Sequence, residues 1–157
     1  MQKHNFMKVN QEIDIQQFLP HREPMLFVDK ISWIEKTYVE ALFTIKSDQL
    51  FIQNEYFAEV GLLENMAQVC STIIGQNYFI NFSDVHKGDV IGFISSIKQA
   101  EIMQLPKVNQ TIITKATLLE VFDYDEFTIS LMQAKVILND EIIATATMNL
   151  MLQNHKK

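Results

Sequence analysis

A chain of 157 residues fits one domain with enough mass to bury a core, and its 48% hydrophobic and 20% charged residues exclude a largely disordered polymer. The net charge of −6 leaves nothing to draw the whole molecule to nucleic acid or anionic lipid, so an acidic carrier protein would need a local basic patch. The lone Cys70 excludes an intramolecular disulfide framework and a multi-cysteine metal site.

The first residues show no apolar leader core, and no apolar run approaches the roughly 18 residues of a membrane span, so a cytoplasmic protein is expected. Four glycines, three prolines and no linker or repeat leave no domain boundary. The expectation is one domain over 11–153 with flexible ends at 1–10 and 154–157. Ile13–Leu19 reads as a short helical turn stopped by Pro20. Met25–Glu35 and Thr37–Ile45 are rich in β-branched and aromatic residues and read as strands. Ser47–Phe57 reads as irregular, and Val60–Ile80 is the long helix. Four strands are then expected: Val90–Met103, Thr111–Asp123, Glu126–Leu138 and Glu141–Leu152. Their breaks carry turn residues at Pro106-Lys107-Val108-Asn109, Asp123-Tyr124-Asp125 and Asn139-Asp140. One helix cannot cover both faces of a parallel sheet. An α+β fold follows, a curved antiparallel sheet wrapped around one helix, and its exposed edge predicts a homodimer or heterodimer.

At 100° per residue the helix splits into two arcs. Gly61, Glu64, Asn65, Gln68, Ser71, Thr72 and Gly75 share one side; Leu62, Leu63, Met66, Ala67, Val69, Cys70, Ile73 and Ile74 share the other and should pack on the sheet. Glu64 lies near the edge of the polar arc, where a carboxyl is half-desolvated, as a general acid requires. A solvated helix-face glutamate is the plainer reading of the same position.

Two segments carry a resemblance. Leu19-Pro20-His21-Arg22-Glu23-Pro24-Met25-Leu26-Phe27-Val28-Asp29 resembles the L-P-H-R-x-P-x-L-x-x-D opening of the β-hydroxyacyl-acyl-carrier-protein dehydratases. Leu62-Leu63-Glu64-Asn65-Met66-Ala67-Gln68 is similar to the E-A-M-A-Q start of their central helix. Gly92-Phe93-Ile94 and Pro106-Lys107-Val108 are weaker matches to a later strand and turn. The resemblance implies the hotdog fold and a site that takes an α-proton and expels a β-hydroxyl. In the family the base is a histidine in a G-H-F-P segment before the helix. Counting back from Glu64 puts Leu50 there, followed by Phe51 and Ile52, and leucine accepts no proton. A divergent branch associated with aryl-polyene and flexirubin-type pathways, which also lacks that segment, resembles the chain better.

The resemblance therefore implies Glu64 as catalytic acid with its base missing at Leu50. Gln68, His21, Arg22, Gly92, Phe93, Lys98 and Lys107 are the candidate substrate-binding residues, the lysines and Arg22, with Lys87 and Lys115, framing a phosphopantetheine entrance. His21 reads first as a loop histidine bonding backbone groups, with a substitute catalytic role as the alternative. His86 falls in a polar turn, and His4 and His155 are near the ends. No metal and no cofactor are expected beyond the substrate's own phosphopantetheine on an acyl carrier protein. The function implied is a dehydratase-like protein of fatty-acid or polyene-type biosynthesis, weak or inactive alone and the partner of a complete dehydratase subunit. Two further readings stay open: a competent dehydratase with a substitute base, and a hotdog thioesterase using Glu64, with Asn65 and Gln68 orienting the substrate.

Overall fold

The computed structural model describes residues 15–79 and 90–154. His4, His86, His155, Lys87 and the expected last helical residue Ile80 lie outside them, as do residues 1–10 of the expected flexible ends. A short 3-10 turn, Ile15–Gln17, leads into an extended segment and then β1 (Lys30–Ile34) and β2 (Tyr38–Thr44). Two short strands, β3 (Ile52–Gln53) and β4 (Tyr56–Phe57), precede the helix α1 (Glu59–Phe79). Four long strands follow: β5 (Val90–Ile102), β6 (Thr111–Asp123), β7 (Phe127–Leu138) and β8 (Glu141–Asn154). The stretch read as irregular thus holds a small hairpin. The first expected strand starts later than Met25, because the backbone of Met25 and Phe27 bonds helix side chains instead of a neighbouring strand. Strand β8 runs to Asn154, one residue past the expected end of the domain.

The six-stranded sheet has the order β1-β2-β6-β7-β8-β5, antiparallel at every junction. Alternation in β7 buries Ser130, Met132, Ala134, Val136 and Leu138 on the helix side. Asn139 and Asp140 both take positive φ, 51° and 65°, as the two-residue β7–β8 hairpin requires. Asn54 and Glu55 do the same for β3–β4. Helix α1 lays Leu62, Met66, Val69, Cys70 and Ile73 into the core with Ile112, Met132, Val136 and Met148 of the sheet. Phe18, Leu19, Leu26, Phe27 and Val28 of the N-terminal segment join the same core. Phe27, Phe43 and Phe57 meet ring to ring, with centroids 5.6–6.0 Å apart, beneath the start of the helix.

This wrapping corrects the expectation of a wet polar arc. Asn65 and Gln68 are 1% exposed and Thr72 is fully buried. The helix is covered by the sheet on one side and by the N-terminal segment on the other, so its amides bond protein and not water. Among the described residues no helix is long and apolar enough to cross a membrane.

Candidate active site

The site grows from four positions on one face of α1. Glu64, Ala67, Gln68 and Ser71 follow the i, i+3, i+4, i+7 spacing that stacks side chains along a helix. Opposite them stand Gly92, Phe93 and Ile94 of β5 and Leu150 of β8, which the sheet register sets beside Ile94. Together with His21 these residues line a cavity of about 310 Å³, the size range of small-molecule sites.

His21 Nε2 lies 3.8 Å from Glu64 Oε1, an ion-pair separation longer than a hydrogen bond. Both side chains are 25% exposed, so each is partly desolvated yet open to a ligand. Burial holds the imidazole below its ordinary pKa of 6.5; the Glu64 carboxylate pulls it up and Arg22 adds to the lowering. At neutral pH the ring is therefore a neutral proton acceptor. Its Nδ1 is buried and makes no hydrogen bond among the described residues.

His21 is held in place by its neighbours. Arg22 donates from Nη1 to the carbonyls of Leu19, at 2.9 Å, and of His21, at 2.7 Å, which curls the loop. Downstream, Gln68 accepts from Phe27 N–H at 2.8 Å and donates to Met25 O at 2.8 Å and to Glu64 Oε1 at 2.9 Å. Asn65 donates to Phe27 O at 2.7 Å and accepts from Thr114 Oγ1 at 2.6 Å. Both amides are thus engaged with the protein.

Of the residues singled out from the sequence, His21, Glu64, Gln68, Gly92 and Phe93 line this cavity and Leu50, Arg22, Lys98 and Lys107 do not. Leu50 is 39% exposed, and its neighbour Phe51 turns inward, its ring 5.5 Å from that of Phe27. Phe51 reaches that packing only at φ 66°, a conformation unfavourable for a bulky residue. Lys98 is exposed on β5, and the Lys107 ammonium sits 5.2 Å over the Tyr56 ring. Lys115 pairs with Glu40 at 2.9 Å on the sheet face opposite the helix, since its neighbour Thr114 is the residue that bonds Asn65. Lys98, Lys107 and Lys115 are not among the described residues that line the cavity. Ala67, Ser71, Ile94 and Leu150 were not singled out. The first two were legible as Glu64's helix-face neighbours, whereas Leu150 depends on the β5–β8 pairing. Among the described residues no group of three or more His, Cys, Asp or Glu is arranged to hold a metal ion.

Residues 13–157 match the model of a family described as ApeP-like, the ApeP dehydratase. Over 128 residues the chain is 27% identical to the 3-hydroxyacyl-(acyl-carrier-protein) dehydratase FabZ of Pseudothermotoga lettingae, covering 68% of this chain and 91% of that one. Over 146 residues it is 23% identical to the enzyme of the same name from a Sulfurovum species, covering 89% and 95%. Among solved structures, the dehydratase heterocomplex ApeI:P from Xenorhabdus doucetiae superposes with a TM-score of 0.75 at 14% identity over 94% of each chain. That likeness, with one α-helix against a large antiparallel sheet among the described residues, shows the hotdog fold.

Proposed function

The chain belongs to the ApeP-like dehydratase family, and on that premise we propose that it is a subunit of a dehydratase acting on 3-hydroxyacyl thioesters carried by the phosphopantetheine arm of an acyl carrier protein. The observation that carries the reading is the meeting of His21 and Glu64, 3.8 Å apart, in one cavity. Neutral His21 takes the α-proton, the electron pair forms the Cα–Cβ double bond, the Cβ–O bond breaks, and Glu64 protonates the departing hydroxyl to give water. Gln68 donates to Glu64 Oε1, which leaves Oε2 as the oxygen that passes the proton. In this reading His21 takes the role left vacant at Leu50, which favours a competent chain over one inactive by itself.

The chain works beside a related hotdog subunit. Supporting this is β5, which ends the sheet with Ser95–Glu101 exposed and with Phe93 and Ile97 showing 45% and 43% of their surface. The ApeI:P relative in the fold comparison is itself a heterocomplex.

The test assays enoyl formation and free-thiol release separately, with the purified chain alone and mixed with a complete dehydratase subunit. Enoyl product without free thiol is expected from the chain alone, with His21→Asn and Glu64→Gln each lowering kcat about 10²–10⁴-fold. Thiol release without enoyl product would make the chain a thioesterase. Turnover only in the mixture, indifferent to His21→Asn, would return the base to the partner and restore the inactive-alone reading.

A further inference from the structure

The outer face of the sheet, turned away from the helix, carries a polar hollow of about 340 Å³ lined by Tyr38, Lys115, Thr117, Gln133, Lys135 and Thr145. The strand register builds it. Glu40, Lys115, Lys135 and Thr145 stand directly opposite one another across β2, β6, β7 and β8. Tyr38, Thr117 and Gln133 form the next row, two residues along each strand. Directly opposed side chains lie about 4.5–5.5 Å apart at Cβ, so the tips of both rows converge on one space. The intervening residues Thr114, Ala116 and Ala134 are the ones buried on the helix side.

The charge of this hollow is unbalanced. Lys115 and Lys135 are like charges set directly opposite each other, an arrangement that destabilises a sheet. Glu40 answers Lys115: its Oε1 accepts from Lys115 Nζ at 2.9 Å and also from the Tyr38 hydroxyl. Lys135 feels that carboxylate from a distance and forms no ion pair with it. Two ammonium groups against one carboxylate leave one positive charge, on a chain whose formal net charge is −6. Among the described residues, the side chains of Thr117, Gln133, Lys135 and Thr145 make no hydrogen bond or ion pair. The hollow is thus ringed by an ammonium, two hydroxyls and a carboxamide that have no partner there, beside a second ammonium.

From this convergence of unpaired donors we propose that the hollow is an anion site that takes a phosphate group, with Lys135 as its principal cation and Thr117, Gln133 and Thr145 as hydrogen-bond donors. A phosphate monoester presents three strong acceptor oxygens, which suits a ring of several donors. A carboxylate is best met by the planar fork of arginine, and among the described residues no arginine lines the hollow. Lysine is a compact point charge and binds phosphate as such. An anion seated between Lys115 and Lys135 also removes the repulsion between them. The site lies on the opposite face of the sheet from His21 and Glu64, and it stands independently of the dehydratase reading.

The experiment titrates glycerol 3-phosphate and inorganic phosphate into the full chain, followed by calorimetry and by backbone amide NMR. Sodium chloride at matched ionic strength is the reference, because screening alone alters exposed charges. Saturable binding is expected for the phosphate probes, with the largest shifts at Lys115, Thr117, Gln133, Lys135 and Thr145. Lys135→Met is expected to weaken it about 10-fold, the loss of one charge-assisted hydrogen bond. Lys46→Met makes the same charge change at an exposed position outside the hollow and should leave the affinity unchanged. Tighter binding of glycerol 3-phosphate assigns the site to a small phosphorylated molecule; equal affinity assigns it to inorganic phosphate. Should Lys135→Met fail to fold, Thr117→Val removes a donor while keeping a β-branched side chain on the strand, and weaker binding is expected from it as well. No saturable binding, equal weakening by Lys46→Met, or shifts centred on His21 and Glu64 overturn the inference. None of these outcomes bears on the dehydratase reading, which enoyl formation tests separately.

Discussion

At the residue scale the informative side chain is His21. Its sequence setting, between Pro20 and Arg22, pointed first to a loop histidine bonded to backbone, with catalysis as the alternative. Its Nδ1 is instead unpartnered among the described residues and its Nε2 faces Glu64. The lowered pKa has a consequence for stability with a definite sign. As pH falls through 6.5 the unfolded chain takes up a proton on this ring that the folded chain resists, so stability is present above that pH and falls toward the lower folded value. Acidification from about pH 7 to about pH 5 should therefore lower the unfolding midpoint, and His21→Asn should flatten the slope. Equal slopes in the two proteins would show that burial of the neutral ring is not what the fold resists losing.

At the scale of elements, the junction of β4 and α1 is closely packed at Gly61. A Cβ built on Gly61 would lie 2.5 Å from the ring of Phe57, which is fully buried and packed against Phe27 and Phe43. Helix propensity alone would reward Gly61→Ala by about 1 kcal/mol. The ring cannot yield without disturbing two other phenylalanines, and such overpacking costs about 1–3 kcal/mol. Gly61→Ala is accordingly expected to lower stability in chemical denaturation, and a gain would mean that the ring has room to move. The elements themselves were largely legible. Strand β6 spans the residues expected from composition, and Asn139-Asp140 is the turn that its residue types predicted. The β3–β4 hairpin was missed because strands of two residues each have no periodicity to read.

For the whole molecule, the edge strand β5 is the surface that bears on assembly. Ile97 lies opposite the fully buried Met148 and so on the helix side of the sheet, yet it keeps 43% of its surface exposed because the helix covers the middle strands more than this edge. An exposed apolar edge strand is a surface that native proteins cover or charge. Ile97→Glu should leave the unfolding midpoint of the isolated chain nearly unchanged while reducing the mass of the assembly in sedimentation, alone or with a complete dehydratase subunit. An undiminished assembly would place the contact elsewhere.

The sequence by itself determined the order of the long elements, the antiparallel α+β class and the helix face that presents Glu64, because periodicity, turn chemistry and helix geometry are local properties of the chain. It also fixed that Leu50 supplies no base, since that is a matter of residue type. Only the tertiary structure decided that His21 stands beside Glu64. The two are 43 positions apart, and their meeting depends on buried amides of the helix bonding the backbone of Met25 and Phe27, a long-range pairing that no local pattern encodes. The same wrapping turned the polar arc of the helix inward. Whether Asn65 and Gln68 meet water or protein depends on what the rest of the chain lays over them, and only three-dimensional packing supplies that cover.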